Sequence, residues 1–378
     1  MKKKLMALIF CVGVFTFANA AEPYIKKVEK KIDIDGKKYL KTDRKIYFPG
    51  GNFYFVTTRE EGQKKLYCKK WGNYFLGLQF GRPKNSNGSW SLWEFIKSYS
   101  KIDNQYKNVF KLYEPENIYV SQINDITVAE IISPLSEDDS KGKVSLKMMK
   151  FPAYPNWVFI KLKYINASYT PWRIDLSAYP GNSNNPKERE RWIGTRENKY
   201  CVAKEMKKFK PQTPGLVMFS KFVHENFGNY LVYEPAKYKL IDIPRAGAGV
   251  SVRLYTVKGQ SEFKFALGYF MDKPAADVLP RFLGETQDNI SKFLEKIDWE
   301  PKLESKEFDK LAADTDKLIK DTESMGIDCK KFKASLDAAS KAYQAAVKAN
   351  DMKKASIEIE KIKKIKKDIS NAAMSQFN

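Results

Sequence analysis

Between Tyr24 and Phe270 apolar residues recur at every second position, in short runs broken by turn residues. A period of two belongs to a strand with one face in a core and the other in water. Val158, Ile160, Leu162 and Tyr164 alternate with Lys161 and Lys163. Ile174, Leu176 and Ala178 alternate with Arg173, Asp175 and Ser177. Val250, Val252 and Leu254 alternate with Ser251, Arg253 and Tyr255, and Phe263, Phe265, Leu267 and Tyr269 flank Lys264. Val28 to Ile34 leads into Asp35-Gly36 and then Lys37 to Lys41, and Asp-Gly supplies the positive φ of a tight hairpin. About fifteen such runs with no helices between them predict a mainly β fold, a large antiparallel β-sandwich. The phosphate-binding glycine motifs of nucleotide folds are missing from the sequence.

The pattern changes at Pro274. Val278, Phe282, Ile290, Phe293, Leu294 and Ile297 have helical spacing, and Pro280 either kinks that helix or confines it to its later part. Trp299-Glu300-Pro301 reads as a domain boundary. Beyond it, Phe308, Leu311, Thr315, Leu318, Thr322 and Met325 mark one helix, ended by Gly326. Phe332, Leu336, Ala339, Tyr343 and Ala346 mark a second. Met352, Ala355, Ile359, Ile362 and Ile369 mark a third, capped by Asn350-Asp351 and interrupted at Lys366. Narrow seams of this kind predict a helical bundle or coiled-coil hairpin. The Ala-rich part of the seam needs cover, either from the sandwich or from a protein partner or second copy. The Lys-rich run from Lys361 to Lys367 reads as a solvated helix face, with a site for a partner or an anionic surface as the alternative. The expected organisation is a signal peptide (1–20), a β-sandwich (21–272), a connecting helix (273–301) and a three-helix segment (302–378).

Met1-Lys2-Lys3-Lys4, the apolar stretch Leu5 to Phe17, and Ala18-Asn19-Ala20 form a signal-peptide pattern of bacterial style, cleaved before Ala21. The apolar stretch is too short to span a bilayer, so the expected product is exported, periplasmic or secreted, without a membrane span. Cleavage would lower the formal charge from +22 to +19. Such a charge attracts anionic polymers, but an exported chain without a recognisable nucleic-acid motif points away from nucleic acid. One His excludes a multi-His metal site. Cys68, Cys201 and Cys329 lie too far apart in sequence for a metal-binding motif. Either Cys68 and Cys201 pair, or all three are separate buried thiols. Ser136 to Ser140 is acidic but lacks a calcium loop's ligand spacing, and reads as a hairpin tip. Neither metal nor cofactor is expected.

Of 67 basic residues only ten are Arg, and four of these (Arg173, Arg189, Arg191 and Arg196) fall within 24 residues. The planar guanidinium binds carboxylate or sulfate in bidentate fashion. Trp172 lies beside the same window and Trp192 within it, and the window holds a long polar loop from Pro180 to Glu190. Arg173, Arg189, Arg191, Trp192 and Arg196 are therefore the candidate ligand-binding residues, for an acidic or polyhydroxylated glycan. The same arginines could instead pair with Glu188, Glu190 and Glu197. Trp90 and Trp93 read as a second aromatic cluster, a core edge or a sugar platform.

Val158 to Asn166, Asp175 to Gly181 and Glu262 to Phe270 resemble strands of the galactose-mutarotase-like supersandwich proteins. The resemblance could cover residues 24 to 272 and implies a carbohydrate-facing sheet. Epimerases of that kind pair a His acid with a Glu base. Here the single His224, beside Glu225, would have to serve, and the family's further His is absent. Adjacent residues on a strand face opposite ways, which argues against the pair. Three functions stay open: a carbohydrate-binding protein, an epimerase- or lyase-like enzyme using His224 with a carboxylate, and a noncatalytic envelope scaffold.

Overall fold

The computed structural model describes residues 23–67, 75–80, 93–123, 125–178, 191–197, 199–201, 206–220, 227–244, 250–271, 275–301 and 306–375. The chain opens with β1 (Tyr24–Ile34), β2 (Lys37–Phe48), β3 (Gly51–Glu60), β4 (Phe75–Phe80), β5 (Trp93–Ile102) and β6 (Gln105–Asn108) in a first sheet. A second sheet begins with β7 (Asn117–Ile123), β8 (Ile126–Pro134), β9 (Lys143–Lys150) and β10 (Trp157–Ile165). The chain then alternates between the two. β11 (Pro171–Ala178) joins the first sheet, and β12 (Arg191–Gly194) and β13 (Lys199–Cys201) the second. β14 (Lys207–Phe209) returns to the first, and β15 (Gly215–Ser220) and β16 (Phe227–Tyr233) to the second. β17 (Tyr238–Ile243) and β18 (Val250–Thr256) close the first sheet, and β19 (Glu262–Met271) the second.

The first sheet has ten strands, ordered β1-β2-β3-β4-β5-β11-β18-β17-β14, with β6 beside β5. The second has nine, ordered β13-β12-β15-β16-β19-β10-β9-β8-β7. All pairings are antiparallel. The Asp35-Gly36 turn has φ of 54° and 76°, as its dipeptide predicts. Helices follow: α1 (Ala275–Arg281), a π turn over Phe282–Thr286, α2 (Gln287–Lys296), α3 (Lys306–Ser324), α4 (Lys330–Lys348) and α5 (Met352–Ser375). The first helical stretch runs through Pro280, and the wider turn follows it.

One core lies between the sheets, built from Phe53, Phe55, Leu176 and Val252 on one side and Ile160, Leu162, Phe263 and Phe265 on the other. A second core lies on the far side of the nine-stranded sheet. There Trp157, Phe159, Val217 and Tyr230 meet Leu279, Phe282, Ile290 and Leu294, and the tail contributes Phe308, Leu336, Tyr343, Ile362 and Ile369. The architecture is thus sheet, sheet, helices. Each large side chain withdrawn from water contributes about 1.5–3 kcal/mol. Gly268 permits one close approach: a Cβ there would lie 2.7 Å from the Trp157 ring. That ring stacks on Tyr230, which stacks on Phe282 at 4.2 Å and fastens the π turn to the sheet.

Two expectations need correction. Alternation placed Lys161 on a wet face, but Lys161 is buried, because the nine-stranded sheet is covered on both sides. In α3, Met325 is half exposed, since the chain turns at Gly326, and Ile319 takes the buried place. Thr315 and Thr322 are buried with their hydroxyls donating to the Leu311 and Leu318 carbonyls at 2.7 Å. Leu336, Ala339, Tyr343 and Ala346 are buried as their spacing predicts. α5 packs on α3, α4 and β7, so the sandwich itself covers part of the tail's seam. Cys329, just before α4, is a free buried thiol, and Cys68 lies outside the described residues. No helix among the described residues is long and apolar enough to cross a membrane.

Candidate functional site

Directly opposed residues of antiparallel strands share a face, so the registers define the outer surface of the ten-stranded sheet. On β11, Ile174, Leu176 and Ala178 point into the core, which turns Arg173, Asp175 and Ser177 outward. Arg173 lies opposite Tyr99 of β5 and Tyr255 of β18. Asp175 lies opposite Lys97 and Arg253, and Arg253 lies opposite Asp242 of β17, which faces Lys208 of β14. Two rows result. One is aromatic with a guanidinium at its centre. The other alternates in charge across five strands.

The Arg173 guanidinium sits over three rings, 4.5 Å from Tyr99, 5.3 Å from Trp172 and 5.7 Å from Tyr255. Such stacking holds a guanidinium in a fixed plane. Asp175 completes the arrangement, with Arg173 Nε at 2.7 Å and Nη2 at 3.0 Å from its two oxygens. These side chains are 17% and 14% exposed, so the pair is shielded without being sealed. Burial raises the Asp175 carboxyl above its ordinary range, against the pull of Arg173, Arg253 and Lys97. Burial and the Asp175 charge raise Tyr99. Arg253 meets Asp242 at 3.3 Å. Tyr106 of β6 stacks on Trp172 at 3.9 Å and is 50% exposed, forming the outer lip of the aromatic set. Lys97, Arg173, Arg253 and Lys208 outnumber Asp175 and Asp242, so the face is cationic.

The Arg-rich window itself is not brought together. β11 and β12 belong to different sheets, so Arg173 stands on one sheet while Arg191 and Trp192 stand on the other. Trp192 stacks on Phe219 at 6.5 Å and packs into the core beneath the helices. Arg196 donates to the Leu283 and Gly284 carbonyls at 2.9 and 3.1 Å, and to both Asp288 oxygens at 2.9 Å. It thereby clamps the π turn to the sheet. Arg189, His224, Glu225 and Trp90 lie outside the described residues. Tyr99, Tyr106, Tyr255 and Arg253 were missed in the sequence. The signal available was the alternation of Lys97, Tyr99 and Lys101 with Ile96, Ser98, Ser100 and Ile102.

A second polar cluster occupies the covered side of the nine-stranded sheet. Tyr119, Glu130, Lys147 and Lys161 form one row across β7 to β10. Tyr119 donates to Glu130 at 2.6 Å, Ser145 donates to the other Glu130 oxygen, and Lys147 Nζ lies 3.6 Å from Glu130. From the linker, Glu300 accepts from Lys147 at 2.6 Å and from Lys161 at 3.2 Å. Lys147 also donates to the Trp299 carbonyl at 3.1 Å, and Lys161 lies over the Trp299 ring. Burial would raise the Glu300 carboxyl, but the two lysines prevail and hold it below its ordinary range. At the end of β9, with the opposite parity to Lys147, Lys150 donates to the Pro155 carbonyl at 2.6 Å, and burial pulls its amine down to about 8. These charges are matched from within the chain, and the cluster fastens the linker. Among the described residues no group of His, Cys, Asp or Glu could hold a metal ion.

No family model and no curated protein match the chain. Solved structures with a similar β body include galactose 1-epimerase from Lactobacillus acidophilus, at 8% identity and TM-score 0.35, over 66% of this chain and 100% of that one. An aldose epimerase homologue from C. elegans matches at 9% identity and TM-score 0.31, over 66% and 100%. An α-N-acetylgalactosaminidase from Bifidobacterium bifidum matches at 8% identity and TM-score 0.41, over 63% of this chain. This chain spans 38% of that glycosidase's length. Likeness at this level assigns no residue of this chain a role.

Proposed function

We propose that the protein is an exported carbohydrate-binding protein whose ligand lies on the outer face of β5, β11 and β18. The observation that carries this is the aromatic set around Arg173, made of the partly buried Tyr99, Trp172 and Tyr255 and the half-exposed lip residue Tyr106. Sugar rings offer apolar C–H faces that pack on aromatic rings, and hydroxyls that need fixed donors and acceptors. The Arg173–Asp175 pair holds both kinds of group in place before any ligand arrives, which lowers the ordering cost of binding. The excess of cations favours a glycan that carries carboxylates or sulfates. Asp175 is engaged by Arg173, so this face offers binding groups and not a free acid–base pair. Export rests on the apolar stretch Leu5 to Phe17 followed by Ala18-Asn19-Ala20.

A glycan array followed by calorimetric titration tests the reading. Neutral and uronic oligosaccharides should be separated by affinity, with the acidic ones ahead. Tyr106→Ala and Trp172→Ala should each weaken binding about three- to tenfold, the range of one lost aromatic contact. Arg196→Ala should leave it unchanged. Failure of every glycan on the array, or full binding by both aromatic variants, would refute the proposal.

A further inference from the structure

We propose a second binding surface, the outer face of the β1–β2 ribbon, which takes a linear polyanionic polysaccharide. Lys26 is directly opposed to Lys45, and Lys30 to Lys41. Like charges placed opposite one another destabilise a sheet. Between the two rows lies Val28 opposite Asp43, and Asp43 meets Lys41 at 3.5 Å. Lys26, Lys30 and Lys45 are exposed and have no carboxylate partner among the described residues.

Lysines on an edge strand commonly serve to block unwanted strand pairing, which accounts for Lys26 and Lys30. It does not account for Lys41 and Lys45, because β2 is covered on both edges by β1 and β3. Two opposed pairs on one face are a pattern that an anion relieves. The rows are four residues apart, about 14 Å along the strands. A small anion reaches one row, and a chain of repeating anions reaches both. Tyr24 and Tyr47, directly opposed on the same face and stacked at 4.6 Å, add a flat aromatic end that suits a sugar ring. A surface two strands wide fits a polymer lying across it. An acidic peptide adding to the free edge of β1 would leave Lys41 and Lys45 unused. Four strand steps, roughly 19 Å, separate β2 from Arg173 on β11. The two surfaces therefore stand or fall separately.

The test measures binding of dextran sulfate and polygalacturonate to the full chain across a salt series, with neutral dextran and poly-L-glutamate as contrasts. The expected result is salt-sensitive binding of at least one anionic polysaccharide and none of neutral dextran. Lys26→Ala with Lys45→Ala should weaken it about tenfold and flatten the logarithmic salt slope by about 2. Removing the same charge from the tail, by Lys331→Ala with Lys333→Ala, should change it little. The loss caused by Lys26→Ala with Lys45→Ala should persist on a Tyr106→Ala background, where the Arg173 face is already weakened. An equal loss in the tail variant would overturn the proposal in favour of overall charge. Equal, ribbon-dependent binding of poly-L-glutamate would overturn it in favour of an acidic protein segment. Binding of neither anionic polysaccharide would overturn it outright.

Discussion

The two outer faces of the sandwich solve opposite problems. Helices lie on the far face of the nine-stranded sheet, so the charges beneath them have to be matched from within the chain. Glu130, Lys147, Lys161 and Glu300 do this in one connected cluster. The ten-stranded sheet keeps its outer face in contact with water. There the partly shielded Arg173, Asp175 and Arg253 form a ladder with the buried Asp242, with a half-exposed ring at its lip. The same alternating strand pattern therefore serves adhesion on one sheet and, in the function we propose, recognition on the other. What differs is whether a helix layer lies on top.

Substitutions can pull this contrast apart. Phe282→Ala, which removes the ring that fastens the π turn to Tyr230, should cost about 3–5 kcal/mol in urea unfolding. Lys147→Ala takes the cation from Glu130, only 11% exposed, and should cost about 3 kcal/mol, while Lys147→Met combined with Glu130→Gln should restore much of that. Gly268→Ala pushes a methyl into the Trp157 ring and should cost about 1–3 kcal/mol. The Glu300 carboxyl is held below its usual value of 4.5, so its stabilising effect is complete above that value. It is lost as pH falls through the lowered value in the folded state. Acid unfolding of Glu300→Gln, followed by circular dichroism, should accordingly show a shallower pH dependence than the parent. Tyr106→Ala should move stability by no more than about 0.5 kcal/mol while reducing glycan affinity. A large loss of stability there would show that the bare face is structural after all.

The strands of the bare sheet were legible from the sequence because one-sided burial leaves its period intact. Ile174, Leu176 and Ala178 alternate with Arg173, Asp175 and Ser177 in the chain and in space. The hairpin at Asp35-Gly36 and the seam of α4 were legible for similar local reasons. The covered sheet was misread at Lys161, whose partner Glu300 lies 139 residues further along and gives no local sign. The candidate site was half legible. Arg173 belongs to it, but Tyr99 and Tyr255 come from strands on either side of β11 and join it only through the register. Arg196 and Trp192 were grouped with Arg173 by proximity in sequence. The crossing from one sheet to the other after β11 separates them, and the helix layer gives them other work.

Cys329 converts the helix layer into something that can be timed. The thiol is wholly buried where the chain enters α4. An alkylating reagent can reach it only when that layer opens. Its labelling rate, followed on its own peptide by mass spectrometry, therefore reports the opening equilibrium of the tail. Slow labelling in the parent and faster labelling in Lys147→Ala would show that an ion pair under the linker governs how often the helices part from one another. The layer that hides one sheet thus carries its own clock.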